Sequence, residues 1–396
     1  MKRYRWLILV VFMLAAMVSQ LLWLTFAPIS SEIRKIFSVS AFEVSLLSMV
    51  WPLTFVLFAI PAGIFIDRHG FKKSVSLAVT FMAFFSIIRF LSIYPKNFIL
   101  LLLSQTGASL SQPFIFGSIN KLSSEWFPEE EGIANGLATI GLFIGMMLAL
   151  VLTPVLFLSF GIKSTLLIYT MLSCIVAILF ILLAREKEGK KEEIATFTLH
   201  DLWELSKKPD FLILEYGFFA GVGGFTALLT WLEEMLHSLH GIGLKEAGFA
   251  GGLMIIGGIA GSLIIPAFSD RIKKVKIFVL ADLIAGALLL FFLALVNGFP
   301  QIALISFLTG FFLMSALPLV LEICNEISGK GMEGRASSLL WFFSQAGSII
   351  LIAAIAPIKS VFRSYFYSIA LLSILLIVAF ILFIRVKSRW IISQIF

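Results

Sequence analysis

Few positions in this 396-residue chain could do chemistry, because charged residues make up only 13% of it. The informative ones interrupt long apolar runs. Arg89, Glu215 and Asp282 each do so, and a carboxylate in such a place can hold and release a proton. Glu233 and Glu234 end another run close to His237 and His240, where carboxylate beside imidazole would respond to pH near neutrality or simply face a wet loop. Gln20, Trp23 and Ala27 recur at spacings of three and four, so one helical face would carry an amide and an indole. The face of an indole ring attracts a quaternary ammonium or another organic cation. No metal-ligand spacing appears, and Cys174 and Cys324 stand alone, so neither a metal nor a cofactor is expected. No phosphate loop of the form G-x-x-x-x-G-K-[ST] is present, and the four histidines form no catalytic cluster. An enzyme is not expected.

What must position these groups is a stack of helices. Hydrophobic residues are 60% of the chain, and apolar runs of membrane-spanning length follow one another throughout. Twelve are counted, at about 7–29, 43–66, 73–93, 97–119, 132–156, 163–184, 210–236, 245–268, 275–296, 300–322, 334–356 and 363–385. The first has a basic flank (Lys2, Arg3, Arg5) but is too long for a signal segment and reads as a retained helix. With both termini cytoplasmic, 22 of the 30 Lys and Arg fall on the cytoplasmic side and 7 outside. That bias sets orientation, so the net charge of +7 reflects topology and no nucleic-acid partner is implied. In this orientation Glu215 and Asp282 lie about two turns from the cytoplasmic ends and Arg89 about one turn from the outside. All three could snorkel to water, so a structural and a coupling role stand side by side.

The chain also repeats itself. GIFIDRHGFKK, Gly63 to Lys73, returns 203 residues later as IPAFSDRIKK, and EGIANGL at Glu131 returns 202 residues later as EGRASSL at Glu333. One sustained polar stretch, 185–209, separates six spans from six. Within it Thr198 and Asp201 suit a helix start, and Leu199, Leu202, Trp203 and Leu205 would form one apolar face of a short surface helix. The expected architecture is an all-α membrane protein of twelve transmembrane helices in two pseudo-symmetric six-helix bundles, 1–184 and 210–396, joined by that linker. Glycines at 132, 136, 141 and 145 in the fifth span and at 251, 252, 257, 258 and 261 in the eighth suit close helix packing. In the hairpin, Gly70 suits a turn with positive φ, and Lys72 and Lys73 hold the loop on the cytoplasmic side.

These pieces resemble the major facilitator superfamily, whose cytoplasmic loop signature is G-x-L-A-D-R-x-G-R-K. Gly63, Asp67, Arg68, Gly70, Lys72 and Lys73 fall on its positions, with Phe71 in a slot that is usually basic. The resemblance implies that Asp67 meets the start of the eleventh helix near Gly334 and that Asp270 and Arg271 mirror it near Gly132, which makes these gate residues. The fifth span lacks the glycine-proline signature of many proton-driven drug exporters. More closely, YRWLIL…SQLLWLTFAPIS, EVSLLSMVW, SSEWFPEEEGIA and ASSLLWFFSQAGSI follow one another as in the branch named after the feline leukaemia virus subgroup C receptor and its prokaryotic relatives. In animal members choline and ethanolamine are substrates. Trp23 and Gln345 match that branch's first-helix tryptophan and eleventh-helix glutamine, whereas Phe143 stands where it has a fifth-helix glutamine. The resemblance thus implies a multi-pass plasma-membrane carrier, working as a monomer, that binds a small organic solute between its halves and alternates access. The solute contacts would be Trp23, Gln20, Gln345 and Phe143, with Glu215 and Asp282 as coupling groups. A proton-coupled exporter, and a sensor or scaffold of the same fold, are the competing readings.

Overall fold

In a computed structural model of the chain every described element is helical; residues 2–187, 205–328 and 332–386 are described. The helices are α1 (Lys2–Leu24), α2 (Ser30–Phe37), α3 (Ala41–Leu91), α4 (Phe98–Ser109), α5 (Ser111–Trp126) and α6 (Glu131–Leu183), then α7 (Pro209–Phe218), α8 (Gly224–His240), α9 (Leu244–Ile272), α10 (Val275–Leu293), α11 (Phe299–Ser328), α12 (Glu333–Phe362) and α13 (Phe366–Phe383). A 3-10 turn, Ala27–Ile29, follows α1, and a π turn, Phe219–Gly223, joins α7 to α8. The chain divides into two compact units, Met1–Ala195 and Thr196–Phe396. The expected linker helix at Leu199–Trp203 lies outside the described residues.

Ten helices among the described residues are long and apolar enough to cross a bilayer. Two of them, α3 with 51 residues and α6 with 53, each run through two of the sequence spans. Straight, either would reach about 75 Å at 1.5 Å per residue, more than twice a hydrocarbon core. Neither is straight: Gly70 (φ 84°) and Gly161 (φ 73°) break the helical path, and a positive φ is a conformation glycine adopts without steric cost. Leu57, Leu103 and Leu182 are among many apolar side chains left bare on the outer surfaces, as lipid contact requires.

Local chemistry fixes the helix ends. Ser40 and Glu43 form a reciprocal capping box at the start of α3, with the Ser40 N–H donating to Glu43 Oε2 at 2.7 Å. Asn97 caps α4 by accepting from the Leu100 N–H at 3.0 Å. In the N-terminal unit, Phe26, Ile29, Ile33, Phe37, Val44 and Leu101 gather in one apolar cluster that anchors the turn after α1.

The two units carry the same backbone irregularities. Positive φ occurs at Ser38, Gly70, Lys96 and Gly161 in the first and at Gly241, Lys273, Gly298 and Arg363 in the second. The offsets are 203, 203, 202 and 202 residues. Close helix packing follows the same shift: Gly145 of α6 lies against the backbone carbonyl of Met17 in α1, and Gly347 of α12 lies against that of Phe219. A methyl group at either glycine would overlap the carbonyl. In the C-terminal unit Gly257 and Gly261 of α9 approach the carbonyls of Phe307 and Phe311 in the same way.

Candidate functional site

Trp23 sits one residue before the end of α1 and is 8% exposed. Its Nε1–H donates to the Ser48 carbonyl at 3.1 Å. Ser48 is four residues before Pro52, and proline has no N–H to satisfy that carbonyl within α3. The indole supplies the missing donor, which orients the ring. Gln20, one turn earlier, is buried with an amide nitrogen that has no partner. Its Cβ lies beside Gly145, two residues from the half-buried Phe143 on α6. The N-terminal unit therefore carries Gln20 and Trp23 on α1, with Gly145 of α6 packed against Gln20; Phe143, two residues before that glycine, is not shown in contact with either. Gln345 belongs to the other unit, on α12, and is nearly buried at 8% exposure. It stands two residues before Gly347, as Phe143 stands two before Gly145.

The end of α1 is fixed by three residues, Thr25, Arg89 and Gln105, of which the sequence singled out only Arg89. A helix leaves its last carbonyls without intrahelical donors. Thr25 Oγ1–H takes that of Leu21 at 2.7 Å. Arg89 Nη1 donates to Leu22 O at 3.2 Å and to Gln105 Oε1 at 3.0 Å, while Gln105 Nε2 donates to Leu22 O and Leu47 O, both at 3.1 Å. The guanidinium also lies 5.3 Å from the Phe26 ring centroid. Arg89 is 0% exposed, so it does not snorkel. It turns inward, where the broken end of α1 and Gln105 offer it acceptors.

The hairpin after the second span exposes Asp67 and Arg68, with Lys73 also exposed and Lys72 half-buried. Gly63 has open space around it. The Gly70 turn holds a carboxylate: Glu186 Oε2 accepts from the Lys72 N–H at 2.8 Å, and a side chain at Gly70 would strike that carboxylate. Anions suit the first turn of a helix, where partial positive charge collects. Nearby Lys187 Nζ donates to Glu125 O at 2.8 Å, and Arg5 pairs with Glu130 at 2.7 Å. In the second unit Asp270 and Arg271 are exposed at the end of α9, and Lys273 rather than a glycine takes the positive φ of 55°.

The carboxylates inside the spans are buried and do not reach water. Glu215 is 2% exposed and accepts from Ser206 Oγ at 2.6 Å. Asp282, 1% exposed, has an Oδ2 with no hydrogen-bond partner. Snorkelling is thus excluded for both. Glu233 and Glu234 are buried as well, and Tyr365 OH donates to Glu234 at 3.3 Å. His237 and His240 bond instead to the backbone carbonyls of Ile242 and Leu293, at 3.1 and 2.9 Å. The carboxylates at this end of α8 are not in a wet loop.

The sequence model of the Major Facilitator Superfamily matches residues 12–352. The chain belongs to that superfamily. It is a multi-pass membrane protein of a transporter family and not an enzyme. The choline/ethanolamine transporter flvcr2a of Danio rerio is 26% identical over 362 residues, covering 85% of this chain and 77% of that one. An uncharacterized protein of Archaeoglobus fulgidus is 40% identical over 223 residues, which are all of that protein and 56% of this chain. In fold the chain is similar to a bacterial homologue of the human lysosomal transporter Spinster, inward-facing and occupied, with a TM-score of 0.74, 16% identity, and coverage of 100% of this chain and 98% of that one.

Sequence reasoning overlooked Gln105, Glu186 and the π turn of the seventh span. Gln105 carried a signal, since an amide inside an apolar run needs partners. Glu186 carried none, being 114 residues from the N–H it caps.

Proposed function

We propose that this chain is a secondary active or facilitative carrier of a small organic cation, of the size and charge of choline or ethanolamine, working by alternating access. The observation that carries the reading is the Gln20–Trp23 face of α1: an indole fixed by Ser48 and Pro52 beside a buried amide nitrogen without a partner. A fixed aromatic face suits a cation, and an unpaired buried amide is a donor that a ligand's hydroxyl oxygen can satisfy. The Danio rerio relative is a choline/ethanolamine transporter, which supports the same solutes. Solute contacts are assigned to Trp23, Gln20 and Phe143 in the N-terminal unit and Gln345 in the C-terminal unit.

The carrier has twelve crossings, α3 and α6 each counting as two, in two bundles related by an internal repeat with boundaries at 1–184 and 210–396. Four matched positive-φ residues per unit and the matched Gly145 and Gly347 contacts support the repeat. Proteins built from such repeats commonly move one half against the other around a bound solute. Gly63, Asp67, Arg68, Gly70, Lys72 and Lys73, with Asp270 and Arg271, act as the cytoplasmic gate. Both termini are cytoplasmic, the membrane is the plasma membrane, and one chain suffices. Saturable uptake of labelled choline by liposomes containing the purified protein tests the reading; uptake equal to that of empty liposomes contradicts it.

A further inference from the structure

Arg89 carries a charge that no acidic side chain offsets among the described residues. It lies in the last turn of α3, 0% exposed, against Phe26 of the N-terminal apolar cluster. Arginine keeps its proton inside proteins, so the charge cannot be shed. A guanidinium has five N–H donors. Leu22 O and Gln105 Oε1 take the two on Nη1. The other three, on Nε and Nη2, are buried and meet no acceptor among the described residues. Nε–H and one Nη2–H leave the same edge of the plane in parallel, and by such a fork arginine grips an anion.

The elements around it supply donors and no carboxylate. Helices α1 and α4 contain no acidic residue. Glu32 of α2 pairs with Lys35, and Glu43 of α3 is held in the capping box with Ser40. Asp67 is exposed in the hairpin, and Glu131 is exposed at the start of α6. Tyr169 of α6 is the titratable side chain that acts electrostatically on the guanidinium, and its OH bonds Thr153 Oγ1 at 2.8 Å. With Thr153 as the donor, the Tyr169 O–H is left for a further acceptor. Ser92 and Thr170 spend their hydroxyl hydrogens on the backbone carbonyls of Arg89 and Ser86, at 2.7 and 3.0 Å. Such a set repels metal cations, and complete burial shuts out an organic acid. What it calls for is one small acceptor of negative charge.

We propose that the Nε–Nη2 edge of Arg89 binds one small monovalent anion of the size of chloride. A bare halide is a single spherical acceptor, so it receives both N–H groups of the edge at once. It also supplies the opposite charge that a buried guanidinium needs. The ion has a structural consequence on the other edge. There Arg89 Nη1 and Gln105 Nε2 hold Leu22 O, and Gln105 Nε2 reaches Trp23 O at 3.4 Å. An anion that fixes the guanidinium plane thereby fixes the carbonyls at the end of α1. The site goes beyond the carrier reading and does not depend on it.

The test uses the full-length protein in detergent with no organic solute, so its outcome is separate from that of the carrier reading. Chloride replaces gluconate at constant ionic strength. In equilibrium dialysis the wild type binds one radiolabelled chloride per chain, and its melting temperature climbs with the logarithm of chloride concentration. Bromide acts in the same way and marks its own position in crystals by anomalous scattering, with the peak against Arg89 Nε and Nη2. Arg89→Gln binds none. Arg89→Lys keeps the charge without the two-pronged edge and binds about tenfold more weakly, as the loss of one hydrogen bond to a charged group implies. Arg185→Gln, which removes an exposed guanidinium, binds as the wild type does. Where Arg89→Gln does not fold, dialysis and the bromide peak of the wild type decide. No stoichiometric chloride, a melting temperature indifferent to it, a bromide peak elsewhere, or undiminished binding by Arg89→Gln would overturn the proposal.

Discussion

The Trp23 indole N–H donates to the Ser48 carbonyl at 3.1 Å, and that carbonyl is the one Pro52 leaves without a helical donor. A proline in one helix therefore sets the direction of a tryptophan in another. Pro52→Ala returns an N–H to α3, and the Ser48 carbonyl no longer needs the indole. Trp23→Phe should cost about 1 kcal/mol of stability in the native background for the lost hydrogen bond, and clearly less in the Pro52→Ala background. Melting curves of the four proteins in detergent check this. Strict additivity of the two substitutions would contradict it.

Arg89 and Gln105 act as one staple on the carbonyls of Leu22 and Leu47. Gln105→Leu removes an acceptor from a buried guanidinium and a donor from two carbonyls. It should destabilise by about 1–3 kcal/mol, and Arg89→Leu with it should cost less than the sum of the two single changes. Loss of choline affinity should accompany the loss of stability, since Trp23 is the next residue along.

Gly145 and Gly347 hold corresponding helix crossings, each against a backbone carbonyl. Backbone cannot rotate out of the way as a side chain can. Gly145→Val and Gly347→Val should both abolish the monodisperse folded protein, whereas Gly63→Val, with open space around the position, should elute normally. Gel filtration of the three variants gives the answer. A well-folded Gly347→Val would remove this support for the repeat.

Gly70 and Lys273 occupy corresponding turns, both with positive φ. A side chain there costs roughly 1–2 kcal/mol relative to glycine. Lys273→Gly should therefore stabilise by about 1 kcal/mol, and Gly70→Ala should destabilise by at least that much because Glu186 also fills the turn. Opposite shifts in melting temperature are the expected reading.

The spans and the Gly70 turn were legible in the sequence because each follows from local chemistry: long apolar runs, and a glycine where the chain must reverse. Trp23 was legible as a candidate by its spacing from Gln20, but its orientation depended on Pro52 across a helix boundary. Arg89 was misjudged for a related reason. Its acceptors are 16 and 67 residues away, and only the broken end of α1 makes an inward path better than a route to water. Lys96 and Arg363 adopt left-handed turns that their residue types do not announce; only the repeat, through Gly298 and Gly161, marks them.

The central claim is that a fixed indole in α1 binds an organic cation. Equilibrium binding of labelled choline to the purified protein, wild type against Trp23→Ala, tests it most directly. Saturable binding weakened by about twofold to thirtyfold in the variant is the outcome foreseen, with cation–π contacts worth about 0.5–2 kcal/mol and each 1.4 kcal/mol a factor of ten. Equal affinity in a properly folded Trp23→Ala protein, or no saturable binding to the wild type, would contradict it.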